Sequence, residues 1–98
     1  MKIREIIKNK VTDYFRNNAE YCGILDLYDN KKSRDHIINI GTSILSSKWE
    51  IEYSGGSFVQ GFLNNDLEET FNRADHINQK AIYFYILMNR NIPFPREK

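Results

Sequence analysis

Cysteine is nearly absent. Cys22 stands alone, so no internal disulfide can form and no cysteine pair exists to build a zinc site. A reducing, cytoplasmic setting fits that usage. Net charge is nearly absent too: 14 basic side chains against 13 acidic ones leave +1. There is thus no bulk attraction for nucleic acid or a membrane surface. Long apolar runs are missing. The longest, Ala81 to Met88, is eight residues, far short of the roughly twenty that span a bilayer. The opening stretch MKIREIIKNK is too charged for a signal peptide. No H-E-x-x-H, no His-x-x-x-His and no P-loop lysine occurs, so the common metal and phosphate motifs are excluded.

What is present is a core. The 98 residues are 41% hydrophobic and 28% charged, a balance that suits one globular domain and argues against disorder. Tyr and Phe supply twelve of the thirteen aromatics, and each buried ring removes much apolar area from water.

The organising stretch is Asp75 to Arg90. Ile77, Ala81, Phe84, Tyr85 and Met88 follow i, i+4, i+7, i+8, i+11, a helical stripe. Asp75 suits an N-cap, Arg90 the negative end of the helix dipole, and Asn91 with Pro93 a stop. The eight apolar residues make this helix apolar nearly all round after its first turn, so it belongs inside the domain.

Upstream, residues 2–17 read as an amphipathic helix with Ile3, Ile6, Ile7, Val11, Tyr14 and Phe15 on one stripe. Residues 20–28 suit two helical turns through Tyr21, Ile24, Leu25 and Tyr28, weakened by Gly23. Asp29 to Lys32 reads as a polar turn. Ser33 then caps a helix to Ser47 whose stripe holds Gly41. Glycine there costs roughly 1 kcal/mol of helix propensity, which a close helix crossing would justify; Ser46 and Ser47 loosen the chain after it.

Trp49-Glu50-Ile51-Glu52-Tyr53 alternates strictly, the pattern of a short strand or an extended linker. Ser57 caps a short helix bearing Phe58, Val59, Phe62 and Leu63, and Asp66 to Glu69 has the form of a capping box. The expectation is an all-α single-domain bundle of four or five helices around a buried C-terminal helix, with residues 92–98 as a tail. The alternative is α+β, with residues 23–28 and 49–53 pairing in a two-stranded ribbon.

Chemistry is thinly represented. Asp35-His36 and Asp75-His76 both fall at helix starts and together hold four nitrogen and oxygen donors. Adjacent helical side chains point about 100° apart, so neither pair converges on one metal alone. Cys22 has nothing nearby to depress its pKa; Glu20 and Asp26 would raise it. Gly55-Gly56-Ser57 serves a turn and cap more readily than an anion cradle. No catalytic residue, cofactor or metal site is therefore expected.

Charge is segregated along the chain. Residues 2–16 carry five basic and two acidic side chains. Residues 50–75 carry Glu50, Glu52, Asp66, Glu68, Glu69 and Asp75 against Arg73. Docking on another protein, or head-to-tail pairing in a homodimer, would use Glu68 and Glu69, or Lys8 and Lys10 on the basic side. Tyr21, Tyr28 and Tyr53 are the aromatic candidates. A nucleic-acid binder would instead use Lys2, Arg4, Lys8, Lys10, Lys31, Lys32 and Arg34.

The small and polar spacing of Gly55-Gly56-Ser57-Phe58-Val59-Gln60, Asn64-Asn65-Asp66-Leu67 and Arg73-Ala74-Asp75-His76-Ile77-Asn78 resembles that of small uncharacterised proteins from tailed-phage genomes. The resemblance covers residues 37–90 and brings no catalytic residues. It implies a phage or mobile-element accessory protein that binds and modulates or inhibits a host or defence protein in the host cytoplasm.

Overall fold

A computed structural model describes residues 2–51, 56–64, 66, 68, 70 and 75–95. Glu52, Tyr53, Gly55, Asn65, Leu67, Glu69, Arg73, Ala74 and residues 96–98, which figure in the expectations above, lie outside the described residues. The fold is all-α: α1 (Ile3–Asn18), α2 (Leu25–Asp29), α3 (Lys31–Lys48), α4 (Ser57–Leu63) and α5 (His76–Asn91), with no strand among the described residues. Glu68 and Thr70 are also helical, between α4 and α5.

Helix α1 forms where its stripe requires, and Ile7, Val11 and Phe15 are fully buried. It ends at Asn18, and a turn follows. Cys22 N–H still reaches Asn18 O, and the end is closed by Ile24 N–H to Ala19 O and Gly23 N–H to Glu20 O. These crossed bonds make a Schellman cap, which needs a left-handed residue next to last. Gly23 supplies it at φ 73°. A left-handed residue cannot continue a right-handed helix, so the expected two turns through 20–28 are broken there. Only α2 forms beyond it, burying Leu27 beside Ile24 and leaving Tyr21 and Leu25 exposed.

Helix α3 starts two residues before Ser33. The cap is Asn30, whose side chain accepts from Ser33 N–H at 3.0 Å; a cap side chain reaches the amide three residues on, so Ser33 is the capped residue and Lys31 and Lys32 are helical. This helix packs against α1, α2, α4 and α5. Residues Gly41 to Ser47 are all buried in sequence. At Gly41 a β-carbon would sit 2.9 Å from both Met88 Sδ of α5 and Val11 Cγ1 of α1, which is the close crossing that glycine permits. Ser46 and Ser47 do not loosen the helix. They pack inside its last turn, their hydroxyls without a partner, because small side chains let four neighbours approach one helix.

The alternating Trp49-Glu50-Ile51 is a second Schellman cap: Ile51 N–H bonds Ser46 O and Glu50 N–H bonds Ser47 O. Glu50 holds the left-handed position at φ 57°. The cap turns Trp49 and Ile51 inward and Glu50 outward, which imitates a strand's period of two. Residues 23–28 and 49–51 therefore form no ribbon. Helix α4 is capped at Gly56 rather than Ser57, and buries Phe58, Val59 and Phe62.

Helix α5 begins as expected, with Asp75 Oδ1 accepting from Asn78 N–H at 2.8 Å. Ala81, Phe84, Tyr85 and Met88 are fully buried. Tyr85 donates its hydroxyl to Asn78 Oδ1 at 2.7 Å and sits among Phe58, Phe62 and Phe84. Two contacts fix α5 parallel to α3. His36 meets Asp75 near the helix starts, and Lys48 Nζ donates to Asn89 O near their ends. Tyr21 meets Tyr83 while Asn91 bonds Tyr14, so α1 runs antiparallel to α5.

Candidate docking surface

The two Asp-His pairs are brought together, but not around a cation site. His36 Nε2 lies 3.0 Å from Asp75 Oδ2, while Asp75 Oδ1 is taken by the cap. Asp35 points to Lys31 at 2.7 Å. That hydrogen bond, and the charges of Lys31, Arg34 and Lys8, hold its carboxyl below the usual carboxylate range. Among the described residues no group of three or more His, Cys, Asp or Glu side chains is placed to hold a metal ion. The contact instead ties the start of α3 to the start of α5. Cys22 is half-buried, and burial pushes its thiol up. The direction is the one expected; desolvation, rather than the neighbouring acids, causes it.

The residues named from sequence as partner contacts divide. Lys8 and Lys10 are both exposed but lie on opposite flanks of α1, because two helical residues two apart face nearly opposite ways. Lys8 lines a cleft of about 360 Å³ with Lys31, Asp35, Ile38 and Asn39. Lys10 lines a groove of about 290 Å³ with Asp13, Tyr14, Asn17, Asn91, Ile92 and Pro93. Tyr28 is half-buried, edge-on to Phe15 at 5.2 Å, with the Arg34 guanidinium 5.4 Å from its ring centre. Its ring therefore serves packing. Glu68 is exposed on its helical segment. Glu69 and Tyr53 lie outside the described residues.

Tyr21 is 72% exposed and finds an unexpected companion in Tyr83 of α5, 47% exposed, with ring centres 6.4 Å apart. Hydrogen bonding to Tyr21 raises the Tyr83 phenol above its ordinary value. Ile86, 37% exposed, lies one turn further along α5, and exposed Arg90 the next turn on. Tyr83, Ile86 and Arg90 follow i, i+3, i+7, so they share one face. Beside them Tyr14 accepts from Asn91 Nδ2 at 2.9 Å and forms a wall of the Lys10 groove. The surface thus joins the end of α1, the turn after it and the outer face of α5.

Tyr83 and Ile86 escaped the sequence reading because eight consecutive apolar residues suggest burial all round. The signal was available. Both fall opposite Ala81, Phe84, Tyr85 and Met88 on a helical wheel, and those four already complete the inward stripe.

No protein-family model, no curated protein and no solved structure matches the chain.

Proposed function

We propose that the chain is a non-enzymatic binding module that docks another protein through the face formed by Tyr21, Tyr83 and Ile86. The observation that carries this is the Tyr21–Tyr83 pair, two large rings beside each other yet open to solvent. Tyrosine presents rigid contact area with a polar tip and is enriched at the centre of protein interfaces. The resemblance to tailed-phage accessory proteins supports the narrower part of the reading, in which the partner is a host or defence protein of the cytoplasm that binding modulates or inhibits. No helix among the described residues is long and apolar enough to cross a membrane.

A nucleic-acid role draws less support. Lys31 is paired with Asp35, Arg34 lies on Tyr28, and Lys8 and Lys10 face different grooves. Phosphate binding favours a continuous basic track.

The test is a paired capture from host extract, with the parent chain and a Tyr21→Ala/Tyr83→Ala variant as baits and mass spectrometry as readout. The expected result is a protein retained by the parent and lost with the variant. Equal recovery of every protein by both baits would reject this face as the docking site.

A further inference from the structure

We propose that the occupant of the α1/α5 face is an acidic, amphipathic segment of the partner protein, which lays its apolar side chains on Tyr21, Tyr83 and Ile86 and its carboxylates on Lys10, Lys80 and Arg90. The proposal rests on the docking role given above and adds the chemistry of what docks.

Three observations converge on it. The first is charge. Helix α5 contains no acidic residue in its 16 positions, and its two cations, Lys80 and Arg90, are exposed. Lys10 stands exposed at the neighbouring groove. Among the described residues none of these three cations has an ion-pair partner. Asp13, the acid lining the groove, is 2.9 Å from Arg16 and is balanced by it. Glu20, next to Tyr21 in sequence, is an exposed acid. Three exposed cations, Lys10, Lys80 and Arg90, therefore border the exposed rings, and complementary potential selects an acidic partner.

The second is the order of features along the face. Cation, ring, aliphatic side chain and cation succeed one another at Lys80, Tyr83, Ile86 and Arg90. A stripe one helix long, apolar in its middle and charged at both ends, complements a helical segment with the opposite pattern. The third is the groove between Lys10, Tyr14, Asn91 and Pro93. This open groove of about 290 Å³, lined also by Asp13, Asn17 and Ile92, extends the contact area beyond the tilted ring pair.

Two rival occupants are answerable in the same measurement. Aromatics beside cations also stack single-stranded nucleic acid. Here the two exposed rings are tilted at 34° with centres 6.4 Å apart, and titration with an oligothymidylate decides whether they take bases. A second copy of this chain could offer Asp66 and Glu68, both exposed.

The probe is a pair of synthetic helical peptides with the same Leu and Phe stripe at i, i+3, i+4 and i+7. Glutamate fills the polar positions of one, and lysine those of its twin. Each is titrated into the ¹⁵N-labelled full chain, with an oligothymidylate as a third ligand. The glutamate peptide is expected to shift amide resonances of Tyr14, Tyr21, Tyr83, Ile86 and Asn91, and the lysine twin not to. Arg90→Glu and Lys10→Glu should each weaken the glutamate peptide by about two- to fivefold, the range of an exposed ion pair. Tyr83→Ala should weaken it by about tenfold or more, as a central aromatic does.

Equal binding of both peptides on this face would overturn the acidic partner while leaving the docking face intact. No perturbation by either peptide would overturn the proposal, whereas the docking role would stand or fall with the paired capture. Tighter binding of the oligothymidylate would reassign the face to nucleic acid. A sedimentation change of the protein alone on Arg90→Glu would reassign it to a second copy.

Discussion

Tyr83 and Tyr85 stand two residues apart on α5 and do opposite work. Tyr85 is fully buried, enclosed by three phenylalanines, with its hydroxyl given to Asn78. Burial, aided by the charge of Asp75, pushes its phenol far above the ordinary tyrosine range. Tyr83 faces water, and its aromatic companion among the described residues, Tyr21, is more exposed still. Residue type cannot account for the difference, because it is the same residue. Position on the helix accounts for it. The inner face of α5 is filled to the point that Gly41 is required opposite Met88, and the outer face is left to solvent.

Substitutions can break that contrast, and their effects should rank by face. Phe84→Ala removes a fully buried ring that contacts Tyr14, Phe15 and Tyr85. A loss of about 3–5 kcal/mol is expected in urea unfolding; a loss below about 1 kcal/mol would mean that the inner face is not the core. Gly41→Ala comes next. It gains up to about 1 kcal/mol of helix propensity, yet its methyl meets Met88 Sδ and Val11 Cγ1 at 2.9 Å. The methionine end can swing aside and the β-branched valine cannot, so a net loss of about 1–3 kcal/mol is expected. Adding Val11→Ala to the glycine variant should then cost less than Val11→Ala alone.

Tyr85→Phe leaves Asn78 Oδ1 without its donor and should cost about 1–2 kcal/mol at neutral pH. The same variant carries a pH signature. Because the folded phenol titrates above the unfolded one, the folded state binds more protons once pH exceeds the ordinary tyrosine value of about 10. The contribution of Tyr85 to stability should be level below that pH and fall above it, so the fall should be shallower in Tyr85→Phe. Parallel slopes in the two proteins would contradict the burial of Tyr85. The smallest effect is expected for Tyr83→Ala, within about 0.5 kcal/mol by the same unfolding assay. A larger cost would make the Tyr21–Tyr83 pair a structural element instead of a docking one.

The helical stripes were legible because they obey a local rule. The inward residues of α1 and α5, and the Asp75 cap, follow from spacing alone. Two things were hidden. The first was the left-handed caps. Gly23 advertises one by being glycine, but Glu50 gives no such sign, and the alternation around it looks like a strand. Only the paired bonds to Ser46 and Ser47 reveal it. The second was any feature made by two distant segments. His36 reaches Asp75 across 39 residues and Tyr21 reaches Tyr83 across 62. Each sequence neighbourhood shows one half of the pair, so the exposed aromatic pair could be named at Tyr21 and not completed. The opposite flanks of Lys8 and Lys10 were readable from helical geometry, yet grouping by charge concealed them.

The crossing at Gly41 also has a consequence for how this sequence can drift. Positions 11, 41 and 88 share one small volume, and atoms from three helices fill it. A mutation that enlarges any of the three meets a filled space, so acceptable change there must come in compensating combinations, with the shrinking step first. Across diverging descendants these three positions should vary together or not at all. The outer positions 83, 86 and 90 face solvent and escape that restraint. One helix would then record two histories at once, a slow one on its inner side and a fast one on its outer side.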